Sequence, residues 1–275
     1  MNQIQLPLAA LVLLACTAHA VAQGADKPKP RWLDAEGVKI AYYVQGQGEP
    51  VVLIHGLRSS ATVNWSLPGI SSLLSQKHRV IAFDVRGHGQ SDKPTEEDAY
   101  REELVEDVLR LLDDLKIEKA HIVGYSMGGI IAGNFIAHHP DRVLSGALGG
   151  MGWLKSGGAS QWGLGQLGKR ESEAKAPAIC GRSLAKLALT EDEIKTIEVP
   201  MIVFVGDKDR LVNRLYIEPL KQVRPDWPVV EIEDANHLSC VVREQFRKEL
   251  AAWLDKNSKQ GDADTRAAYR STPAR

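Results

Sequence analysis

Along most of the chain, short unbroken apolar runs alternate with polar stretches of helical spacing. The runs Val51 to Ile54, Val80 to Phe83, Ala120 to Gly124, Val143 to Leu148, Met201 to Val205 and Val229 to Ile232 are rich in valine and isoleucine. Runs of this kind predict strands buried on both faces. Helical patterns lie between most of them, one reaching about Leu115 and another running from Arg243 to Leu254. Strand and helix in alternation predict βαβ units and a parallel sheet. Two earlier strands, Trp32 to Asp34 and Val38 to Val44, have only a short glycine turn between them, so they predict an antiparallel pair. From Gly149 to about Ile197 the rhythm breaks into Met151-Gly152-Trp153-Leu154, Gly157-Gly158-Ala159-Ser160 and short helical stretches, which marks an insertion. No internal repeat is visible. The pattern predicts one α/β domain over about residues 23–256, with a polar, aperiodic tail over 257–275 that predicts disorder.

The first 22 residues differ in kind. Leu6 to Cys16 is apolar but too short to span a bilayer, and Ala18-His19-Ala20 and Ala20-Val21-Ala22 are small-x-small cleavage sites. This predicts a signal peptide and a secreted or periplasmic protein. The alternative is a lipoprotein anchored at Cys16, because Leu13-Leu14-Ala15-Cys16 loosely resembles a lipobox. No later segment has the length and apolarity of a membrane span. With the leader removed, Cys180 and Cys240 remain, an even pair compatible with a disulfide in an oxidising compartment.

Composition narrows the function classes. The 275 residues carry 34 basic and 35 acidic side chains, a formal net charge of −1, with no extended basic patch. Nucleic acid is therefore not expected as a partner. No Cys/His set has ligand spacing, so no metal is expected.

The chemistry begins at Gly124-Tyr125-Ser126-Met127-Gly128, which joins the apolar run Ala120 to Val123 directly to Gly129-Ile130-Ile131-Ala132. A serine at a sharp strand-to-helix turn is a nucleophile candidate, and the glycines two positions to either side admit close backbone packing. A serine hydroxyl needs a base, and a base needs an orienting acid. Met201 to Val205 runs into Gly206-Asp207-Lys208-Asp209, and Val229 to Ile232 is followed by Asp234-Ala235-Asn236-His237. Acid and histidine thus follow the serine in order, each just past a strand. Asp207 and Asp209 both suit the acid role at this point. Of the eight histidines, His237 alone has both the order and the loop position of a general base. His19 lies in the leader, His78 before a strand, His121 at a strand start, His138 and His139 at a helix end stopped by Pro140, and His55 and His88 in glycine turns.

These features resemble the α/β-hydrolase superfamily, of the serine esterase or lipase type with a short cap, and the resemblance covers nearly all of the chain after the leader. The run Pro50 to Leu57 looks like the family's strand and His-Gly turn, which implies backbone donors to an oxyanion hole at Leu57 and Met127. Asp84-Val85-Arg86-Gly87-His88-Gly89-Gln90-Ser91 is similar to the turn after the next strand, where Asp84 and Arg86 are expected to fix the loop by hydrogen bonds and charge pairing. The family's Gly-x-x-Asp pattern, followed by a short apolar stretch, falls on Asp209. The insertion over about 150–197 corresponds to the cap, with Trp153 and Trp162 as candidate substrate-pocket walls. Serine at the nucleophile position disfavours the dehalogenases and epoxide hydrolases of this fold, which use aspartate there.

The resemblance implies an α/β-hydrolase fold, a mostly parallel central sheet with helices on both faces and a small helical cap. It also implies a cofactor-free serine hydrolase acting on small carboxylic esters. Alternatives on the same triad are a carbon–carbon bond hydrolase, an enol-lactonase or a cofactor-free haloperoxidase. Outside enzymes, the alternative is a binding protein that kept the fold. For the leader, the expected natural product begins at Val21 or Gln23 by mass spectrometry, and an intact Met1 terminus in a cytosolic fraction would overturn the export expectation.

Overall fold

Each apolar run that predicts a strand forms one. The computed structural model describes residues 28–166 and 176–258. The leader with its cleavage sites and Cys16, and the tail beyond Ser258, lie outside the described residues. Among the described residues eight strands form one sheet. They are β1 (Arg31–Ala35), β2 (Val38–Gln45), β3 (Glu49–Ile54), β4 (His78–Phe83), β5 (Ala120–Tyr125), β6 (Val143–Gly149), β7 (Met201–Gly206) and β8 (Val229–Ile232). Their order is β1-β2-β4-β3-β5-β6-β7-β8. β1 pairs antiparallel with β2, and β2 antiparallel with β4, while the remaining neighbours are parallel.

The helices are α1 (Ile70–Leu74), α2 (Glu103–Asp114), α3 (Met127–His138), α4 (Ala159–Gly165), α5 (Ala176–Ser183), α6 (Glu191–Lys195), α7 (Arg210–Val212), α8 (Glu218–Val223) and α9 (Glu244–Lys256). Alternation along the strands explains why both sheet faces are covered. Val52, Ile54, Ile81 and Phe83 point to one side, where α2, α3 and α8 pack, while Val51, Leu53, Val80 and Ala82 point to the other, under α1 and α9. α2 is amphipathic and buries Leu104, Val105, Val108, Leu111 and Leu112. α3 instead buries most of its circumference, as a helix held between sheet and cap must. The cap is the β6–β7 insertion, and it carries α4, α5 and α6.

The strand order reverses at β3. The chain leaves β3 outward to β4 and then returns to β5 on the opposite flank, so the connections after β3 and β5 diverge and open a crevice at the strands' carboxyl ends. Register sets the two ends side by side, because Ile54 lies opposite Gly124.

The turn after β4 is locked by buried polar bonds. Arg86 Nε and Nη2 donate to the two carboxylate oxygens of Asp107 on α2 at 2.7 and 2.6 Å, and Nη1 donates to the Ala99 carbonyl at 2.7 Å. Asp84 accepts from the Ala61 and Gln90 amides, both at 2.8 Å. A planar guanidinium matches a carboxylate in bidentate fashion, so exchange of Arg86 or Asp107 strands a buried charge, whereas Asp84 fixes the loop through amide hydrogen bonds.

Among the described residues three buried imidazoles, His55, His88 and His121, are held below the ordinary histidine range, burial being the first cause in each. Burial pushes His55 down to about 3, helped by nearby His88. Burial also pushes His121 down to about 4, against the pull of Glu49. His121 bonds Ser145 Oγ through Nδ1 at 2.8 Å.

Two outcomes are expected. Asp107→Asn leaves the Arg86 cation buried and half-paired, and should lower the unfolding free energy by about 3–5 kcal/mol in urea titration. A loss below about 1 kcal/mol would contradict the pairing. Separately, the unfolded chain protonates histidine near pH 6.5, while His55 and His121 stay neutral until pH falls to their lowered values. Between those limits the unfolded state holds more protons, so stability falls as pH falls. The urea midpoint should therefore drop between pH 7 and 5, and His121→Asn should flatten that slope. An unchanged slope in the variant would count against a neutral, buried His121.

Candidate active site

β5 ends in a turn whose backbone only a special sequence tolerates. Ser126 stands at φ 54° and ψ −113°, a sparsely populated region that costs about 1–3 kcal/mol and persists only where the surroundings enforce it. The surroundings do enforce it. A Cβ at Gly124 would run into the Gly128 carbonyl, and one at Gly128 would run into the Ile54 carbonyl of the neighbouring strand. The Ser126 amide donates to Gly149 O at 2.8 Å, and its carbonyl accepts from Gly129 and Ile130 at 2.9 and 3.2 Å. The hydroxyl is thereby held at the helix N-terminus, above the crevice.

Three residues from three connections meet there. Ser126 Oγ lies 2.9 Å from His237 Nε2, and His237 Nδ1 lies 2.7 Å from Asp209 Oδ2. A carboxylate only accepts, so Nδ1 carries the proton and Nε2 is left to accept from the serine hydroxyl. Asp209 is buried, and its second oxygen accepts from the Val212 amide at 3.3 Å, which caps α7. That capping fixes the carboxylate as it faces the imidazole.

The two candidate acids are separated by what they touch. Asp207 faces the loop backbone, accepting from the Ala235 and Asp234 amides at 2.9 and 3.0 Å. These amide bonds, Ala235's foremost, hold its carboxyl below the usual range. Asp209 orients the imidazole, and Asp207 grips the loop that carries it.

The His55-Gly56-Leu57 turn borders the serine, since a Cβ on Gly56 would stand 3.5 Å from Ser126 Cβ. Among the described residues neither the Leu57 nor the Met127 amide donates a hydrogen bond. Both amides are thus open to a ligand atom in the crevice. The turn itself is pinned at both sides. The Val85 amide donates to His55 Nε2 at 3.0 Å, and the Gly56 amide donates to Asn64 Oδ1 at 3.0 Å.

Two contributors have no sequence signal. Asn64 is one, lying eight residues past the turn it holds. Tyr125 is the other, its hydroxyl donating to the His237 carbonyl at 2.6 Å across 112 residues of chain. The tyrosine ties the nucleophile turn to the histidine loop, a contact that no local motif encodes.

The cap tryptophans have different surroundings. Trp153 is buried and donates its indole N–H to the Leu189 carbonyl at 2.9 Å, whereas Trp162 on α4 is 71% exposed. Neither makes a hydrogen bond or ring contact with Ser126, Asp209 or His237. The cysteines do not pair: Cys180 and Cys240 are free and buried. Cys180 Sγ lies 3.6 Å from Met127 Sδ, and Cys240 sits against Tyr125. Burial pushes both thiols up to about 12, so they behave as small apolar side chains. Among the described residues no group of three or more His, Cys, Asp or Glu could hold a metal ion. No described helix is long and apolar enough to cross a membrane.

Comparison with known proteins agrees with this architecture. The profile of the alpha/beta hydrolase fold matches residues 49–154. Over 139 residues the chain is 34% identical to 2-hydroxymuconate semialdehyde hydrolase of Pseudomonas sp. (strain CF600), covering 48% of each chain. Over 97 residues it is 42% identical to epoxide hydrolase B of Mycobacterium tuberculosis (strain ATCC 25618 / H37Rv), covering 35% of this chain and 27% of that protein. The chain spans less than half the length of such curated relatives. Among solved structures, a bacterial membrane phospholipase A aligns with a TM-score of 0.65 and 25% identity, over 91% of this chain and 98% of that one. Fold, matched segment and relatives together give this chain the α/β-hydrolase fold and a likeness to that superfamily.

Proposed function

We propose that the protein is a serine hydrolase that cleaves small carboxylic esters through an acyl-enzyme. The observation that carries this is the unbroken relay of 2.9 Å from Ser126 Oγ to His237 Nε2 and 2.7 Å from His237 Nδ1 to Asp209. His237 takes the hydroxyl proton as Oγ attacks the carbonyl carbon. Asp209 holds the tautomer and stabilises the imidazolium. Negative charge develops on the carbonyl oxygen, where the Leu57 and Met127 amides and the N-terminus of α3 face it. His237 then protonates the leaving alcohol, and water repeats the sequence on the acyl-enzyme. Each step uses groups of the chain and water, and none calls for a cofactor.

A second reading has its own support. The similarity to 2-hydroxymuconate semialdehyde hydrolase favours carbon–carbon bond cleavage by the same triad. Epoxide hydrolysis is less well supported, despite the likeness to epoxide hydrolase B, because serine occupies the position where that chemistry on this fold uses aspartate. For location we propose export, on the strength of the apolar leader and its small-x-small sites.

The test has two arms. A fluorophosphonate should label Ser126, with no label on a Ser126→Ala variant; an unlabelled wild-type chain would favour the binding-protein alternative. On a short-chain p-nitrophenyl ester, Asp209→Asn should lower kcat by roughly 10⁴-fold, the scale for losing the triad acid. Asp207→Asn should cost far less, because its amide partners lie on the loop rather than the imidazole. A folded Asp209→Asn protein that keeps more than about a tenth of kcat would remove Asp209 from the mechanism.

A further inference from the structure

Seven large apolar side chains are markedly exposed among the described residues, and six of them sit on the segments that surround the triad. Val63 and Leu67 follow the His55-Gly56-Leu57 turn, Leu211 follows Asp209, Leu238 and Val242 follow His237, and Trp162 stands on cap helix α4. Leu238 is 83% exposed, Leu67 70% and Leu211 61%. Scattered exposed leucines need no explanation, but apolar groups concentrated at one mouth do.

Contacts between these segments join them. Leu211 lies two residues past Asp209 and Leu238 one past His237, so the bond between those two residues draws both leucine-bearing loops together. Arg247 on α9 donates to the Pro68 carbonyl, which fastens the Leu67 segment beside the start of the helix that Val242 precedes. α4 packs on the turn Asn213–Ile217, directly after Leu211. The apolar groups therefore form a rim around the crevice.

The exposed charge immediately around Leu211 is basic. Arg210 and Arg214 flank Leu211, are exposed, and have no acidic partner among the described residues. The nearby acids are tied down: Asp234 pairs with Lys208 and Arg243, and Asp207 accepts two loop amides. Glu218, one turn past Arg214, and Glu233, next to Asp234, are the remaining exposed acids in these stretches among the described residues.

We infer that this rim docks the active-site mouth onto the surface of an anionic lipid assembly, so that esters of amphiphiles reach Ser126 from that surface. Apolar side chains with two unpaired guanidinium groups beside Leu211 match both layers of such a surface, the acyl boundary and the headgroup charge. A second copy of the chain would satisfy the apolar groups but would bring Arg210 and Arg214 near their own likeness across a two-fold axis, whereas an anionic surface neutralises them. The ester part of the inference rests on the proposed serine hydrolase function, and the docking part does not.

The experiment is co-sedimentation of the full natural chain with vesicles of phosphatidylcholine alone or of three parts phosphatidylcholine to one part phosphatidylglycerol. All variants share the wild-type N-terminus, so any contribution from the leader cancels. Wild type should partition to the anionic vesicles and far less to the neutral ones. Arg210→Gln/Arg214→Gln should weaken anionic partition by about thirtyfold, the scale for two basic residues at a charged surface. Leu67→Ser/Trp162→Ser should weaken partition on both compositions, with circular dichroism confirming the fold. Equal partition of wild type to the two compositions, or variants that sediment as wild type does, would overturn the docking. So would sedimentation equilibrium showing a dimer that the Leu67→Ser/Trp162→Ser variant abolishes. Turnover of a soluble p-nitrophenyl ester without vesicles is measured in parallel. Vesicle binding with no soluble turnover would sink the hydrolase function and leave the docking standing, and the reverse pattern would sink only the docking.

Discussion

The site depends first on a backbone constraint, the positive φ of Ser126. A non-glycine residue stays in that region only if its neighbours leave no alternative. Here they do not: Gly128 is pressed against the Ile54 carbonyl, and Gly124 against Gly128 itself. The lack of side chains at 124 and 128 lets α3 begin within contact distance of β3 and β5. Because α3 begins there, its first residue and the Gly56 turn lie beside the same serine. Sheet register and site geometry are thus one constraint seen at two scales.

Around that fixed point the loops are held by polar bonds of long sequence separation. Tyr125 holds the His237 carbonyl, Asp207 holds two amides of the same loop, Asn64 and His55 pin the turn that bears Leu57, and Asp84 reaches back to Ala61. Loops carry little packing of their own, so such bonds supply the orientation that burial supplies elsewhere. Arg86 and Asp107 do the same work for the turn after β4, inside the core. The cap is joined to this frame by directed bonds as well as by the apolar contact of Cys180 with Met127: Arg182 Nε donates to Glu97 at 2.6 Å, Asn134 Nδ2 to the Leu187 carbonyl at 3.2 Å and the Trp153 amide to the Tyr216 carbonyl at 3.0 Å.

Much of this architecture can be read in the chain itself. The eight strands and the antiparallel start follow from apolar runs and one short turn, because a strand buried on both faces has few other sequences. The serine turn is legible because glycine at 124 and 128 and a strand-to-helix switch occur together. Order along the chain points to His237 as the base. It leaves the acid open between Asp207 and Asp209, since both lie past the same strand and differ by two residues.

The folded chain decided what depends on distance between remote segments. It set Asp209 against the imidazole and Asp207 against the loop amides, a difference that comes from the turn after β7 and the capping of α7. It kept Cys180 and Cys240 apart as buried thiols, gave Trp153 to the interior and Trp162 to solvent, and brought Tyr125 to a carbonyl 112 residues away. Sequence by itself determined the elements and the reactive residue types, because those follow from local periodicity and from backbone sterics within a few positions. Which side chains meet was settled only by the sheet order and by the direction in which each loop leaves its strand, and neither is written in any local pattern.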